Sequence, residues 1–126
     1  PAGIEGVRIL LVEDDAAVRA LTETLLSELG CEVAAEADGA AALRRLRTGE
    51  SFDLLLSDII MPGGMSGVDL AREARASDPD LPIVLTTGYA GDRFEAGADA
   101  VEYPVLRKPF RAEQLASAVR EAIEPA

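Results

Sequence analysis

The sequence predicts one α/β domain with a doubly wound, five-stranded parallel sheet and helices on both faces. Short apolar runs alternate five times with segments of helical periodicity or weak helical character. Residues 54–56 are apolar at every position, as in a strand that is buried on both faces of a parallel sheet. Alternating strands and helices favour right-handed crossovers, and 126 residues suit a single domain with a sizeable core.

An acidic turn separates the first predicted strand from the first predicted helix. Residues 7–12 are an apolar run that leads directly into Glu13, Asp14 and Asp15. Asp15 is a favourable helix N-cap, and Gly30 is a favourable residue just beyond the helix end. The predicted apolar stripe of this helix has a spacing of three and four residues and consists of Val18, Leu21, Leu25 and Leu29.

A lone carboxylate, Asp58, ends the third predicted strand. A weaker second strand at residues 31–35 and a helix from Asp38-Gly39 to Gly49 precede it. The residues beyond it cannot continue a strand, so Asp58 should lie at the carboxyl edge of the sheet, where open α/β sheets bind ligands. These strand-breaking residues are Pro62, Gly63, Gly64 and Gly67.

The second half of the chain repeats the pattern. A helix is predicted from Ser66 or Gly67 to about residue 76, and a fourth strand at 83–86 leads to Thr87 and Gly88. Residues 89–101 contain two glycines and few apolar residues, which predicts a weak or irregular fourth helix. A short strand at 105–107 then reaches Lys108. The final helix begins at Arg111, and its apolar stripe should pack on the sheet beside the first helix.

Composition limits the classes of partner. The 23 acidic and 12 basic residues give a formal charge of −11, which argues against nucleic acid and anionic membranes and favours a basic protein or a metal ion. The single Cys31 excludes an internal disulfide and suits a reducing, cytoplasmic location. No membrane span or signal peptide is visible, and the absence of histidine leaves carboxylates, hydroxyls and lysine for chemistry.

Five polar side chains should meet at one edge of this sheet, because each follows a predicted strand: Glu13, Asp14, Asp58, Thr87 and Lys108. Three neighbouring carboxylates repel one another unless a cation joins them. Oxygen ligands without imidazole or thiolate favour Mg²⁺. A hydroxyl and an ammonium at the same edge suit a phosphoryl group, whose oxygens accept hydrogen bonds and whose charge needs balancing.

Four motifs in this order, E-D-D, D-I-I-M-P, T-T-G and R-K-P-F, resemble a response-regulator receiver domain of two-component signalling. The resemblance covers residues 7–124 and leaves residues 1–6 as a tail or linker. It implies a flavodoxin-like sheet with strand order 2-1-3-4-5. The segment G-G-M-S-G is similar to receivers attached to hybrid sensor kinases, and L-T-T-G-Y-A is similar to single-domain response regulators of bacteria.

The resemblance also implies roles for individual residues. Asp58 matches the phosphoacceptor. The metal site would consist of the acidic pair Glu13 and Asp14, of which Asp14 would be a direct ligand, together with Asp58 and the main-chain carbonyl of Ile60. The expected cofactor is Mg²⁺, with Mn²⁺ as an alternative.

Thr87 and Lys108 match the hydroxyl and the ammonium that bind the phosphoryl group, and a cis bond is expected before Pro109. Val105 stands where many receivers have an aromatic switch residue, so Tyr89 is a candidate substitute. The predicted conformational residues are therefore Thr87, Gly88, Tyr89, Val105 and Pro109.

The function implied is transfer of a phosphoryl group from a phosphohistidine onto Asp58 in a Mg²⁺-dependent reaction that switches protein–protein interactions. The donor would be a histidine kinase or phosphotransfer protein, either separate or covalently attached in a longer chain. The domain would catalyse only its own phosphorylation and dephosphorylation. The alternatives are a non-phosphorylated interaction module of the same fold and a small Asp-dependent phosphatase.

Overall fold

The computed structural model describes residues 3–61, 63–88 and 103–124. Within these residues the strands are β1 (Arg8–Val12), β2 (Glu32–Glu36), β3 (Leu54–Asp58), β4 (Ile83–Thr87) and β5 (Val105–Arg107). The helices are α1 (Ala16–Glu28), α2 (Gly39–Arg47), α3 (Gly67–Ser77) and α4 (Ala112–Ile123). The predicted weak helix between the fourth and fifth strands, with Tyr89, falls outside the described residues.

All four strand pairs are parallel, and the sheet order is β2-β1-β3-β4-β5. This order confirms the α/β fold class and the predicted order 2-1-3-4-5. It places β1 and β3 next to each other at the centre, with β4 beside β3. The carboxyl ends of these three strands therefore lie side by side.

Local capping explains where the helices begin. The Asp15 side chain accepts hydrogen bonds from the main-chain N–H groups of Ala17 and Val18, as its position before α1 predicted. Asp38 caps α2 in the same way. Ser66 and Asp69 form a reciprocal capping box at the start of α3. Each of these caps follows a strand or its loop at the carboxyl edge of the sheet, and Asp15 also lines the candidate site.

The core has two layers, one on each face of the sheet. Helices α2 and α3 cover one face, where Leu43 and Leu70 pack against the side chains of β1, β3 and β4. Helices α1 and α4 cover the other face, where Leu26, Leu115 and Val119 pack together. The prediction that the last helix packs beside the first is confirmed.

The apolar stripe predicted for α1 is wrong at Leu21. Thr22 and Leu26 are the buried residues of this helix, whereas the Leu21 side chain is 60% exposed. Thr22 can face the sheet because its hydroxyl donates a hydrogen bond to the main-chain oxygen of Val18, which satisfies the polar atom. Leu25 and Leu29 are partly buried against the same core layer, as predicted, whereas Leu21 lies on the surface.

The described part of the predicted tail packs against the domain. Ile4 is fully buried, and its main-chain oxygen accepts a hydrogen bond from the Cys31 thiol. Gly6 donates its N–H to the Gly30 carbonyl at the end of α1. Cys31 is a free, buried thiol whose pKa is raised by burial and by the nearby charge of Glu5. Within the described ranges, every helix is too short or too polar to cross a bilayer.

Candidate functional site

The structure brings the predicted polar residues together at the carboxyl edge of the sheet. Glu13 and Asp14 follow β1, Asp58 ends β3, Thr87 ends β4 and Lys108 follows β5. They line one open cavity. Its lining residues are Glu13, Asp14, Asp15, Val18, Asp58, Ile60, Thr87, Gly88 and Lys108.

Lys108 joins two buried carboxylates. Its Nζ lies 2.9 Å from Glu13 Oε1 and 3.3 Å from Asp58 Oδ2. Glu13 and Asp58 are only 4% and 8% exposed, so each has lost most of its hydration. An unpaired charge in such a position is costly, and an ammonium that serves both carboxylates offsets that cost. Lys108 is also the only lysine in the sequence.

Glu13 is held through both its main chain and its side chain. Its N–H donates to the Glu36 carbonyl of β2 at 3.1 Å. Its second carboxylate oxygen accepts the main-chain N–H of Asp15 at 3.1 Å. Asp14 differs, because its side chain is exposed and no group in the described residues donates to its carboxylate. Asp14 therefore keeps its oxygens free for another ligand.

The three carboxylates fit a divalent cation that prefers oxygen. One oxygen each of Glu13, Asp14 and Asp58 can be chosen so that all three lie within 4.8 Å of one another. Donor sets made only of carboxylate, carbonyl and water oxygens suit Mg²⁺ or Mn²⁺. Ile60 borders the same cavity, and its side chain is half exposed. The participation of the Ile60 carbonyl remains a prediction.

The ionisation of Asp58 and Lys108 reflects their burial and pairing. Burial raises the pKa of Asp58 to about 6; Lys108 opposes this rise, and the charges of Glu13 and Asp14 add to it. Burial alone would lower the pKa of Lys108, but its hydrogen bond to Glu13 and the charges of Asp58 and Glu13 raise it. At neutral pH the site therefore holds the Asp58 carboxylate in its ionised form, destabilised by burial, beside the charged ammonium of Lys108.

Thr87 and Lys108 are linked through the main chain. The Lys108 N–H donates to the Thr87 carbonyl at 2.7 Å, and Gly88 lies beside the Lys108 side chain. The Lys108-Pro109 peptide bond is cis, as predicted. Val105 is half-buried and packs against the core layer under α2 and α3. The conformational roles of these residues remain predictions, and Tyr89 lies outside the described residues.

Gly67 allows the start of α3 to sit directly on the Asp58 main chain. A Cβ atom at Gly67 would lie 2.1 Å from the Asp58 carbonyl oxygen and 2.9 Å from the Ile59 Cα, closer than any side chain tolerates. The Gly67 N–H donates to the Ile59 carbonyl at 2.7 Å. The glycine that broke the strand pattern in the sequence therefore also fixes the backbone that carries Asp58.

An apolar groove that the sequence did not reveal adjoins the acidic cavity. It runs between α1 and the segment that follows β5, and its lining residues are Val18, Leu21, Thr22, Leu25, Gly88, Lys108, Pro109 and Phe110. Val18, Gly88 and Lys108 line both the groove and the cavity. The sequence signal was present in α1, where Leu21, Leu25 and Leu26 place apolar side chains on two adjacent faces of the helix and only one of these faces can pack on the sheet.

Comparison with known proteins agrees with this geometry. The family model described as response regulator receiver domain matches residues 9–120. The response regulator receiver protein CpdR of Brucella abortus is 40% identical over 117 residues, which cover 92% of this chain and 96% of CpdR. The sensor kinase CckA of the same organism is 38% identical over 118 residues, which cover 92% of this chain and 12% of CckA.

Solved structures agree as well. A response regulator receiver protein from Sinorhizobium medicae superposes with a TM-score of 0.84 at 33% identity and covers 95% of this chain and 96% of its own. The response regulator protein TrrA of Thermotoga maritima, solved in complex with Mg²⁺ and BeF, gives a TM-score of 0.82 at 31% identity and covers 92% and 98%. The chain belongs to the receiver-domain family of two-component response regulators.

Proposed function

We propose that this domain accepts a phosphoryl group from a phosphohistidine onto Asp58 in a Mg²⁺-dependent reaction, and that the product switches its protein–protein contacts. One observation carries the proposal. Asp58 is a buried carboxylate with Lys108 Nζ at 3.3 Å, and one carboxylate oxygen each of Glu13, Asp14 and Asp58 lie within 4.8 Å of one another. A nucleophile, a fixed cation and a divalent-cation site thus occupy one cavity. The similar protein TrrA was solved in complex with Mg²⁺ and BeF, which supports Mg²⁺ as the cation proposed for this chain.

In this reaction an Asp58 carboxylate oxygen attacks phosphorus. An O–P bond forms, the bond from phosphorus to the imidazole nitrogen of the donor breaks, and the imidazole leaves with the electron pair. Thr87 would donate its hydroxyl and Lys108 its ammonium to the phosphoryl oxygens. Asp14, Asp58 and the Ile60 carbonyl, beside Glu13, would hold Mg²⁺, which would neutralise the charge of those oxygens.

The contacts of Lys108 suit this role. When a phosphoryl group arrives, the ammonium can exchange its 3.3 Å contact with Asp58 for a phosphoryl oxygen. Its 2.9 Å contact with Glu13 keeps Nζ at the site during that exchange. Positioning of this kind requires little reorganisation at the moment of transfer. A movement of Thr87 would be transmitted to Lys108 and Pro109, because the Thr87 carbonyl accepts the Lys108 N–H. The proposed switch also includes Gly88, Tyr89 and Val105.

Intact-mass measurement tests the proposal. After incubation with acetyl phosphate and Mg²⁺, the wild-type chain is expected to gain one phosphoryl group, because Asp58 is the aspartate among the described residues that combines burial, Lys108 and the acidic pair. The variant Asp58→Asn should gain none, and a chelator should abolish labelling of the wild type. An unlabelled wild-type chain would instead favour the non-phosphorylated interaction module.

We also propose that the domain acts on no substrate besides itself. The cavity holds the groups for a single phosphoryl transfer to Asp58 and the return of that group to water. Steady turnover of a generic phosphate ester, in the same mixture and with the same Asp58→Asn control, would favour the small phosphatase. Labelling that stops at one group per chain separates the two reactions.

The apolar groove supports a protein as the phosphoryl donor. A helix that carries the phosphohistidine could lay its apolar face on Leu21 and Phe110 and place the imidazole over the adjoining acidic cavity. The donor can be a separate histidine kinase or phosphotransfer protein, or a kinase attached in a longer chain. The match covers 96% of CpdR, as a separate receiver chain would, and 12% of the sensor kinase CckA, as a receiver segment of a longer kinase would.

Replacing Leu21 with glutamate should separate donor docking from chemistry. Phosphotransfer from a histidine kinase that labels the wild-type chain is expected to slow by about tenfold, since a charge would enter the apolar contact. Labelling by acetyl phosphate should stay at the wild-type rate. The matched control is Ala20→Glu, which adds the same charge to an exposed position of α1 outside the groove. Equal slowing with both donors would contradict the docking role.

A further inference from the structure

We infer that Arg19 is a positioning residue that fixes the acidic turn of residues 13–15 and thereby sets the affinity of the site for Mg²⁺. This inference rests on the metal site of the proposed function. Its basis is a side-chain contact from α1 back to the turn. Arg19 Nη1 donates to the Glu13 carbonyl at 2.8 Å and approaches the Asp14 carbonyl at 3.5 Å.

The helix itself holds Arg19 in place for this contact. Arg19 lies in the first turn of α1, where its own N–H donates to the Asp15 carbonyl at 2.8 Å. Its side chain then turns back toward the helix start, and one guanidinium nitrogen reaches two successive carbonyls of the turn. Hydrogen bonds from a charged donor are stronger than neutral ones, so this contact restrains the turn more than a neutral side chain could.

Asp14 depends on this restraint more than Glu13 does. Glu13 is already fixed by the Glu36 carbonyl, the Asp15 N–H and Lys108. The Asp14 side chain is exposed and has no hydrogen-bond partner among the described residues, so its direction follows from its main chain. Arg19 is the described side chain that contacts that main chain. Removing the Arg19 side chain should let the Asp14 peptide rotate, which would move the Asp14 carboxylate away from the proposed metal position.

The role differs from simple charge compensation. The contacts of Arg19 go to carbonyls, and the charges that shift the pKa of Asp58 come from Lys108, Glu13 and Asp14 instead. Lysine keeps the charge but lacks the rigid, planar guanidinium group that directs Nη1 toward both carbonyls, so Arg19→Lys should restore only part of the function. Loss of a group that orients a metal ligand commonly weakens metal binding by about tenfold or more.

Calorimetric titration with Mg²⁺ alone, on the whole chain well below its melting temperature, tests the inference. Arg19→Ala is expected to raise the Kd by about tenfold, and Arg19→Lys to give an intermediate value. Arg44→Ala, which removes an exposed arginine of α2, should leave the Kd unchanged. Thermal melts without metal run alongside to measure stability separately.

Two results would overturn the inference in different ways. If Arg19→Ala lowers the melting temperature without metal but binds Mg²⁺ with the wild-type Kd, Arg19 is only structural. If Arg19→Ala does not fold, the same comparison with Arg19→Gln decides, because a wild-type Kd there would also make Arg19 only structural. If the wild-type chain itself shows no Mg²⁺ binding, the metal site of the proposed function fails, and this failure is visible before any variant is compared.

Discussion

Replacing Lys108 with methionine is expected to lower the free energy of unfolding by about 3 kcal/mol near neutral pH. Methionine keeps the apolar stem but leaves Glu13 and Asp58 buried together without a cation. Removing one partner of a buried ion pair costs more than the pair contributes, because the remaining charge stays desolvated. Two like charges then share the cavity, so the pKa of Asp58 should rise above its wild-type value of about 6.

Urea denaturation with and without Mg²⁺ measures this effect and shows its cause. If charge repulsion is responsible, Mg²⁺ should recover most of the lost stability, since a ligand at 100 times its dissociation constant stabilises the native state by about 2.7 kcal/mol. The double variant Asp58→Asn, Lys108→Met should also be more stable than Lys108→Met alone. Arg44→Met, at an exposed position, is the control. A loss of stability that neither Mg²⁺ nor Asp58→Asn relieves would point to packing instead of charge.

The sequence predicted which polar residues meet at this edge of the sheet because topology alone brings them together. Parallel strands must present their carboxyl ends at one edge, so Glu13, Asp58 and Thr87 could be placed without knowledge of any side-chain conformation. The apolar run of β3 and its abrupt end at the glycine-rich loop made Asp58 visible. The expectation that three carboxylates need a cation follows from the repulsion among like charges.

The sequence could not show which cation serves those carboxylates in the absence of metal. The Lys108–Glu13 contact joins residues 95 positions apart and depends on side-chain conformations, which periodicity does not encode. The exposure of Leu21 was missed for a related reason. Leu21, Leu25 and Leu26 place apolar side chains on two adjacent faces of the helix. The face buried against the sheet is the one that contains Thr22 and Leu26. Arg19 was missed because no sequence pattern distinguishes an arginine that donates hydrogen bonds to main-chain carbonyls from one that is solvated in the first turn of a helix.

Replacing Asp58 with asparagine is expected to stabilise the metal-free domain near neutral pH. Burial raises the pKa of Asp58 from 3.8 to about 6, so the folded state binds the proton more tightly than the unfolded state does. Stability from this group is therefore fully present below about pH 3.8 and is lost as the pH rises through about 6. The difference between the two pKa values corresponds to a loss of about 3 kcal/mol in the free energy of unfolding when Asp58 ionises. Asparagine stays neutral, so the variant does not undergo this loss.

Urea denaturation of both proteins from neutral pH down to about pH 4, without metal, tests this prediction directly. The stability of Asp58→Asn should exceed that of the wild type by about 2 to 3 kcal/mol at neutral pH, and the gap should close as Asp58 takes up its proton. Asp80→Asn, at an exposed position, should show no such gap. Mg²⁺ at neutral pH should also narrow the gap, because it should bind more tightly to the wild type, which keeps the third carboxylate. A difference in stability that is constant across this pH range would mean that Asp58 carries no buried charge. The cavity would then lack the desolvated carboxylate on which the proposed phosphoryl transfer depends.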